Sequence, residues 1–224
     1  MKIRVTISAI SAIAFAVLIW AVKTVDVAAI GPSGTSIGLS TLNKAVHDAL
    51  GTNLFWHEAI NVLGVAAIAS GSVFAVMGLV QLIKRRSLLK VDSEILTTGV
   101  LYVSIGILYV VFEKIVINYR PILEEGQTFP EPAFPSSHTV LAIVVMGSIF
   151  LLAGKYVADR KKVRDIKGIC ALVIAISVMG RLISGVHWFT DIIGGVLISA
   201  ALLSAYSAAL QKQSMNKAAE TEHE

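Results

Sequence analysis

Six apolar runs, spaced along the whole chain, constrain what it can fold into more than any other feature. They cover roughly residues 5–22, 59–83, 94–112, 137–153, 168–183 and 190–210. A helix rises 1.5 Å per residue, so about 20 apolar residues span the hydrocarbon core. Inside lipid the backbone must satisfy its own hydrogen bonds, which leaves helices as the available form for such runs. The expectation is an all-α protein: a six-transmembrane-helix bundle forming one domain over 1–210, with a polar tail over 211–224. That tail is alternately charged and expected to be disordered. Composition agrees, since only 15% of the residues are charged, against about a quarter in soluble domains. The first run follows Lys2 and Arg4 and also suits a signal peptide; a retained span is the preferred assignment.

Residues 23–56 form the longest polar connection. Gly31-Pro32-Ser33-Gly34 signals a loop. Beyond it Leu39, Leu42, Ala45, Val46, Ala49 and Leu50 share one helical face, while Asn43, Lys44, His47 and Asp48 fall elsewhere, and Gly51 suits a C-cap. This pattern predicts a short amphipathic helix on the bilayer surface. His47 and His57 match no compact metal-site spacing and are expected to be solvated at the interface. Asp92 is expected to cap the third span. The one cysteine, Cys170, lies in an apolar run and is expected to pack there.

Six spans put both termini on one side. Fourteen of the nineteen basic residues then fall on that side, and five, Lys23, Lys44, Lys114, Arg120 and Arg181, fall opposite. Positive charge favours the cytoplasm, so the termini are expected there. Topology accounts for the net charge of +4. No basic and aromatic interleaving points to nucleic acid.

Three short stretches carry chemistry, and all fall on the side opposite the termini. The first is Arg120-Pro121. The second is Pro135-Ser136-Ser137-His138, at the start of the fourth span. The third runs from Gly180-Arg181 to His187 and Asp191. His187 and Asp191 are four residues apart, so on a helix they share a face, and the carboxylate can take the protonated ring nitrogen while the other stays available. Arg181 offers a planar fork of donors suited to phosphate. The helix start at Ser136 and Ser137 offers N–H groups and a favourable dipole to an anion. No cluster of carboxylates, cysteines or histidines has metal-ligand spacing, so no metal and no cofactor are expected.

Together these stretches, over about 114–191, resemble the type 2 phosphatidic acid phosphatase family of membrane lipid phosphatases. The resemblance implies that His187 attacks phosphorus and becomes a phosphohistidine, that Asp191 orients it, and that His138 protonates the leaving alkoxide and then assists water. It implies that Arg120 and Arg181 bind the nonbridging oxygens, with Ser136 and Ser137 adding donors. Three departures stand out. Ser137 replaces the usual glycine of Pro-Ser-x-His, and Gly180 replaces the serine before Arg181. Glu113 occupies the position of the lysine in Lys-x6-Arg-Pro, and Lys114 falls one residue late, about 100° around a helix. Lys114 reaches the phosphate only if the chain loosens before Pro121.

The expectation is therefore a plasma-membrane phosphatase whose site faces outward and whose partners are a lipid phosphate and the bilayer lipids, with no obligatory protein partner. Bacterial members of the family that it most resembles act on phosphatidylglycerol phosphate or undecaprenyl pyrophosphate. The first is the expected substrate, with Glu124, Glu125 and Glu131 as candidate headgroup contacts. The alternative from another class is a noncatalytic lipid-phosphate binder or transporter.

Overall fold

A computed structural model describes residues 1–124 and 126–222; Glu125, one of the loop acids named above, lies outside them. Seven α-helices follow in order: α1 (Lys2–Thr24), α2 (Ser40–Leu50), α3 (Leu54–Arg85), α4 (Ser93–Lys114), α5 (Ser137–Tyr156), α6 (Arg160–Ile183) and α7 (Phe189–Glu222). All except α2 are long and apolar enough to cross a membrane. They form a multi-pass bundle, and among the described residues there is no strand, only isolated bridges at Ala28 with Ile37 and Tyr119 with Pro132.

The spans outrun their apolar cores, and capping explains part of this. Asn53 accepts the Trp56 N–H at 3.2 Å, which starts α3 five residues before the apolar run. Asp159 accepts the N–H groups of Lys161 and Lys162, so the basic segment from Arg160 becomes the first turns of α6. Asp92 departs from expectation. Its carboxylate is taken by Gln81 at 2.9 Å and Arg85 at 2.8 Å, and its backbone carbonyl begins α4 instead.

The expected disordered tail is also corrected: helix α7 continues to Glu222. Gln213 donates to Thr97 Oγ1 at 2.7 Å, and Lys217 bonds both oxygens of buried Glu94 at 3.0 and 3.1 Å. Lys155 on α5 pairs with the same carboxylate. Docking on α4 and α5 stabilises a segment too polar to be held by lipid.

α5 is the central helix, packed on α3, α6 and α7, while α1 lies along α7. Cys170 is buried in a cluster with Ala67, Val145 and Met146, as expected of a packing residue. α2 occurs where the periodicity put it, with its C-cap at Gly51 (φ 67°). Asn43 and His47, however, face the protein, while Lys44 and Asp48 pair with each other on the exposed surface. Asn43 is wholly buried and His47 lies against the Trp188 ring at 5.4 Å, whereas Leu42, Ala45, Ala49 and Leu50 are exposed. That outward apolar face is the one an interfacial helix presents to lipid.

Candidate active site

The three sequence stretches converge at the bundle end where α1, α4 and α6 finish and α3, α5 and α7 begin. Two backbone ties shape the loop from 115 to 136. Arg120 N–H donates to the Glu131 carbonyl at 2.9 Å, and Ala133 N–H donates to the Asn118 carbonyl at 2.9 Å. Phe134 then enters an aromatic cluster with Phe15 (5.7 Å) and Phe112 (6.1 Å). Gly194 admits that ring, since a Cβ there would lie 2.6 Å from it. The loop is thereby anchored on both sides of Arg120 and immediately before Pro135.

His187 sits in the short connection between α6 and α7, 4% exposed. Its Nδ1 lies 3.6 Å from Oδ2 of fully buried Asp191. The Asp191 carboxylate also accepts the Trp188 N–H at 2.9 Å and the Asn118 side-chain amide at 3.3 Å. Burial, reinforced by the charges of Arg181 and Arg120, holds the His187 imidazole well below its ordinary range, with the nearby Ala133 carbonyl opposing. The ring is neutral at physiological pH, the form a nucleophile requires.

Behind Asp191 stands a polar network that sequence reading missed. Asn43 on α2 accepts the Thr190 N–H at 3.1 Å and donates to Thr190 Oγ1 at 3.0 Å. Asn118 reaches the same hydroxyl at 3.4 Å. Trp188 Nε1 donates to the Tyr119 carbonyl at 2.8 Å. Two asparagines in polar connections carry no pattern of their own, so no sequence signal marks them.

His138 occupies the first turn of α5 and meets α3 at Gly64, where a Cβ would approach its ring to 3.0 Å. Ser137 lines the same cavity as His138 and His187. Ser136 is fully buried, and its groups are engaged within the protein: its N–H donates to the Asp191 carbonyl at 3.0 Å, and its hydroxyl accepts from Thr139 at 3.1 Å.

The two arginines are held differently. Arg120 pairs with Glu131 at 3.1 Å and with Glu124. Arg181 is wholly buried and bonds the neutral side chains of His57 (2.9 Å) and Asn61 (3.4 Å). His57 is therefore half-buried within the site, not a solvated interfacial residue; its i+4 partner Asn61 and the distant Arg181 were beyond what local spacing could reveal. Lys114 is exposed at the end of α4, and it is Glu113 that lines the cavity. The structure thus sets His187, His138, Arg120 and Ser137 around one cavity, buries Asp191 and Ser136 behind them and Arg181 outside the lining but near enough for its charge to act on His187, and leaves Lys114 aside.

The cavity, about 490 Å³, joins two kinds of wall. His138, His187, Arg120, Glu131 and Ser137 form one end. Ile68 of α3, Ile105, Leu108 and Phe112 of α4, and Ile198 of α7 supply apolar lining. Among the described residues no group of three or more His, Cys, Asp or Glu side chains is placed to hold a metal ion.

Such a bundle, with a cationic and histidine-bearing pocket opening on apolar lining, defines a multi-pass membrane protein of the phosphatase type. Residues 114–215 match the PAP2 superfamily. Over that stretch the chain is similar to the type 2 phosphatidic acid phosphatases, the family whose motifs it carries. A transmembrane PAP2-type phosphatidylglycerolphosphate phosphatase from Bacillus subtilis, known from its crystal structure, shares the fold. The TM-score is 0.65 at 16% identity, over 92% of this chain and 96% of that one. No curated protein sequence matches significantly.

Proposed function

We propose that this protein hydrolyses a lipid phosphomonoester at the membrane interface, through a phosphohistidine on His187. The observation that carries this is the two-walled cavity, which suits a ligand with an anionic head and apolar tails. His187 Nε2 attacks phosphorus, the ester P–O bond breaks, and the departing oxygen takes a proton from His138. Water then gives a proton to His138 while its oxygen attacks phosphorus, the P–N bond breaks, and phosphate leaves. Asp191 stabilises the cationic ring that forms in between. Arg120 and Arg181, with the N-terminal turn of α5 at Ser137, bind the oxygens on which charge develops.

Phosphatidylglycerol phosphate is the favoured substrate. Glu113 and Glu131 line the cavity and can accept hydrogen bonds from a glycerol headgroup. The Bacillus subtilis protein with this fold is, by its name, a phosphatase of that lipid. The excess of basic residues on the terminal side supports an outward-facing site in the plasma membrane. Two guanidinium groups can supply the positive charge for a metal-independent reaction.

The test is phosphate release by purified protein in detergent with excess chelator, over phosphatidylglycerol phosphate, phosphatidic acid and undecaprenyl pyrophosphate. Fastest turnover of the first is expected. Preference for the pyrophosphate would replace the substrate assignment, and binding without release would replace hydrolysis with a noncatalytic role.

A further inference from the structure

Arg181 is a buried cation whose hydrogen bonds go to neutral partners, His57 and Asn61. Arg120, by contrast, carries two carboxylates. A buried guanidinium without a bonded counter-ion is costly unless one arrives. Its Nε is also buried and, among the described residues, has no hydrogen-bond partner.

The partners are short of acceptors as well. Arg181 Nη1 lies 2.9 Å from His57 Nδ1, and an arginine can only donate, so Nδ1 must present its lone pair. A neutral imidazole has one lone pair, so its proton then sits on Nε2. Yet the Asn61 amide nitrogen lies 3.3 Å from that Nε2, a donor facing a donor. Turning the amide over would satisfy His57 and set the amide nitrogen against Arg181 Nη2, which Asn61 Oδ1 now accepts at 3.4 Å. In either orientation the cluster lacks one acceptor, and a phosphate oxygen is the acceptor that completes it.

Local packing builds this cluster. A Cβ on Gly180 would come within 2.6 Å of Ile60 and 2.9 Å of Trp56, so glycine lets α6 lie this close to α3 without those side chains shifting. Asn53 N–H donates to the Ser184 carbonyl at 3.0 Å, and Gly185 (φ 67°) passes so near Gly51 that a Cβ would overlap its carbonyl. These contacts align the first turns of α3 with the end of α6, which sets His57 and Asn61, one helical turn apart, against Arg181.

We propose that His57 and Asn61 are positioning residues for Arg181, and that the three form an acceptor-poor cluster completed by the substrate's phosphate. The inference rests on the proposed function. It predicts that losing the Nδ1 acceptor weakens phosphate binding in the transition state while leaving the lipid tails' contacts unchanged. Asparagine can place Oδ1 where histidine has Nδ1, whereas glutamine carries its oxygen one bond further.

The experiment compares wild type with His57→Ala, His57→Gln and His57→Asn in detergent, measuring kcat and KM on phosphatidic acid and inhibition by orthovanadate. In His57→Ala and His57→Gln, kcat and vanadate affinity should each fall about tenfold to a hundredfold, the range for a hydrogen bond to a charged group. KM should change little, and His57→Asn should restore most of both. Wild-type values in His57→Ala, or an asparagine variant as impaired as alanine at an unchanged melting temperature, would overturn the inference alone. A wild-type protein that neither turns over lipid phosphate nor binds vanadate would overturn the proposed function and the inference together.

Discussion

The Nδ1 atom of His187 lies 3.6 Å from Oδ2 of Asp191, just beyond hydrogen-bond length, while the same oxygen accepts the Trp188 N–H at 2.9 Å. The carboxylate is thus anchored by the backbone and by Asn118, and only the imidazole has to move to close the pair. Catalytic hydrogen bonds commonly tighten once substrate is bound. Asp191→Asn should keep this architecture but lose the charge that stabilises the phosphorylated ring. Turnover should fall by about a hundredfold or more, as for other oriented histidines. His187→Ala should abolish it, and stopped-flow or quench measurements of phosphoenzyme should find none.

Asn118→Ala removes the side-chain anchor of Asp191 and leaves the Trp188 N–H in place. A loss of about tenfold in kcat is expected, the scale of one hydrogen bond to a charged group. An effect larger than that of Asp191→Asn would mean that Asn118 touches the substrate itself.

The pH dependence of kcat/KM has a definite sign. Protonation of His187 removes the nucleophile, so activity falls as pH falls through its pKa. Burial and the two arginines depress that pKa well below the ordinary value of 6.5. Activity should therefore hold from about pH 7 to pH 6, where a free imidazole would already be largely charged. An acid limb centred at or above the ordinary value would show that the buried ring is not the nucleophile.

Gly180 tests how this chain differs from the family pattern, in which serine precedes the arginine. Here a side chain at 180 would press on Ile60 and Trp56. Gly180→Ser should destabilise by about 1–3 kcal/mol, the range for overpacking, and should lower activity through the Arg181 cluster. Thermal inactivation in detergent measures the first effect, and vanadate inhibition the second.

Lys114→Ala provides the contrast. The lysine is exposed and lies outside the cavity lining. Turnover should stay within about threefold of wild type, as for most surface changes. A loss comparable to that of Arg120→Lys would restore Lys114 to the phosphate site.

The order of residues alone settles whatever is written in local periodicity and spacing. Six apolar runs demand six helices because lipid offers no other partner for the backbone. The i and i+4 spacing of His187 and Asp191 forces them together, since α7 begins between them and one turn joins the two positions. Arg120 and Pro135-Ser136-Ser137-His138 were legible because each sits beside a span end. Which neutral side chains serve the charged ones was settled by long-range packing. His57 is separated from Arg181 by 124 positions and Asn43 from Thr190 by 147, and no local pattern links such pairs. Packing also set the orientation of α2, whose buried face is chosen by Asn43 finding polar partners at Gly38 and Thr190, and the length of α7, whose polar end folds because Glu94 awaits Lys217. Apolar burial follows from composition along the chain. Polar satisfaction depends on what distant segments bring, and that is settled when the helices pack.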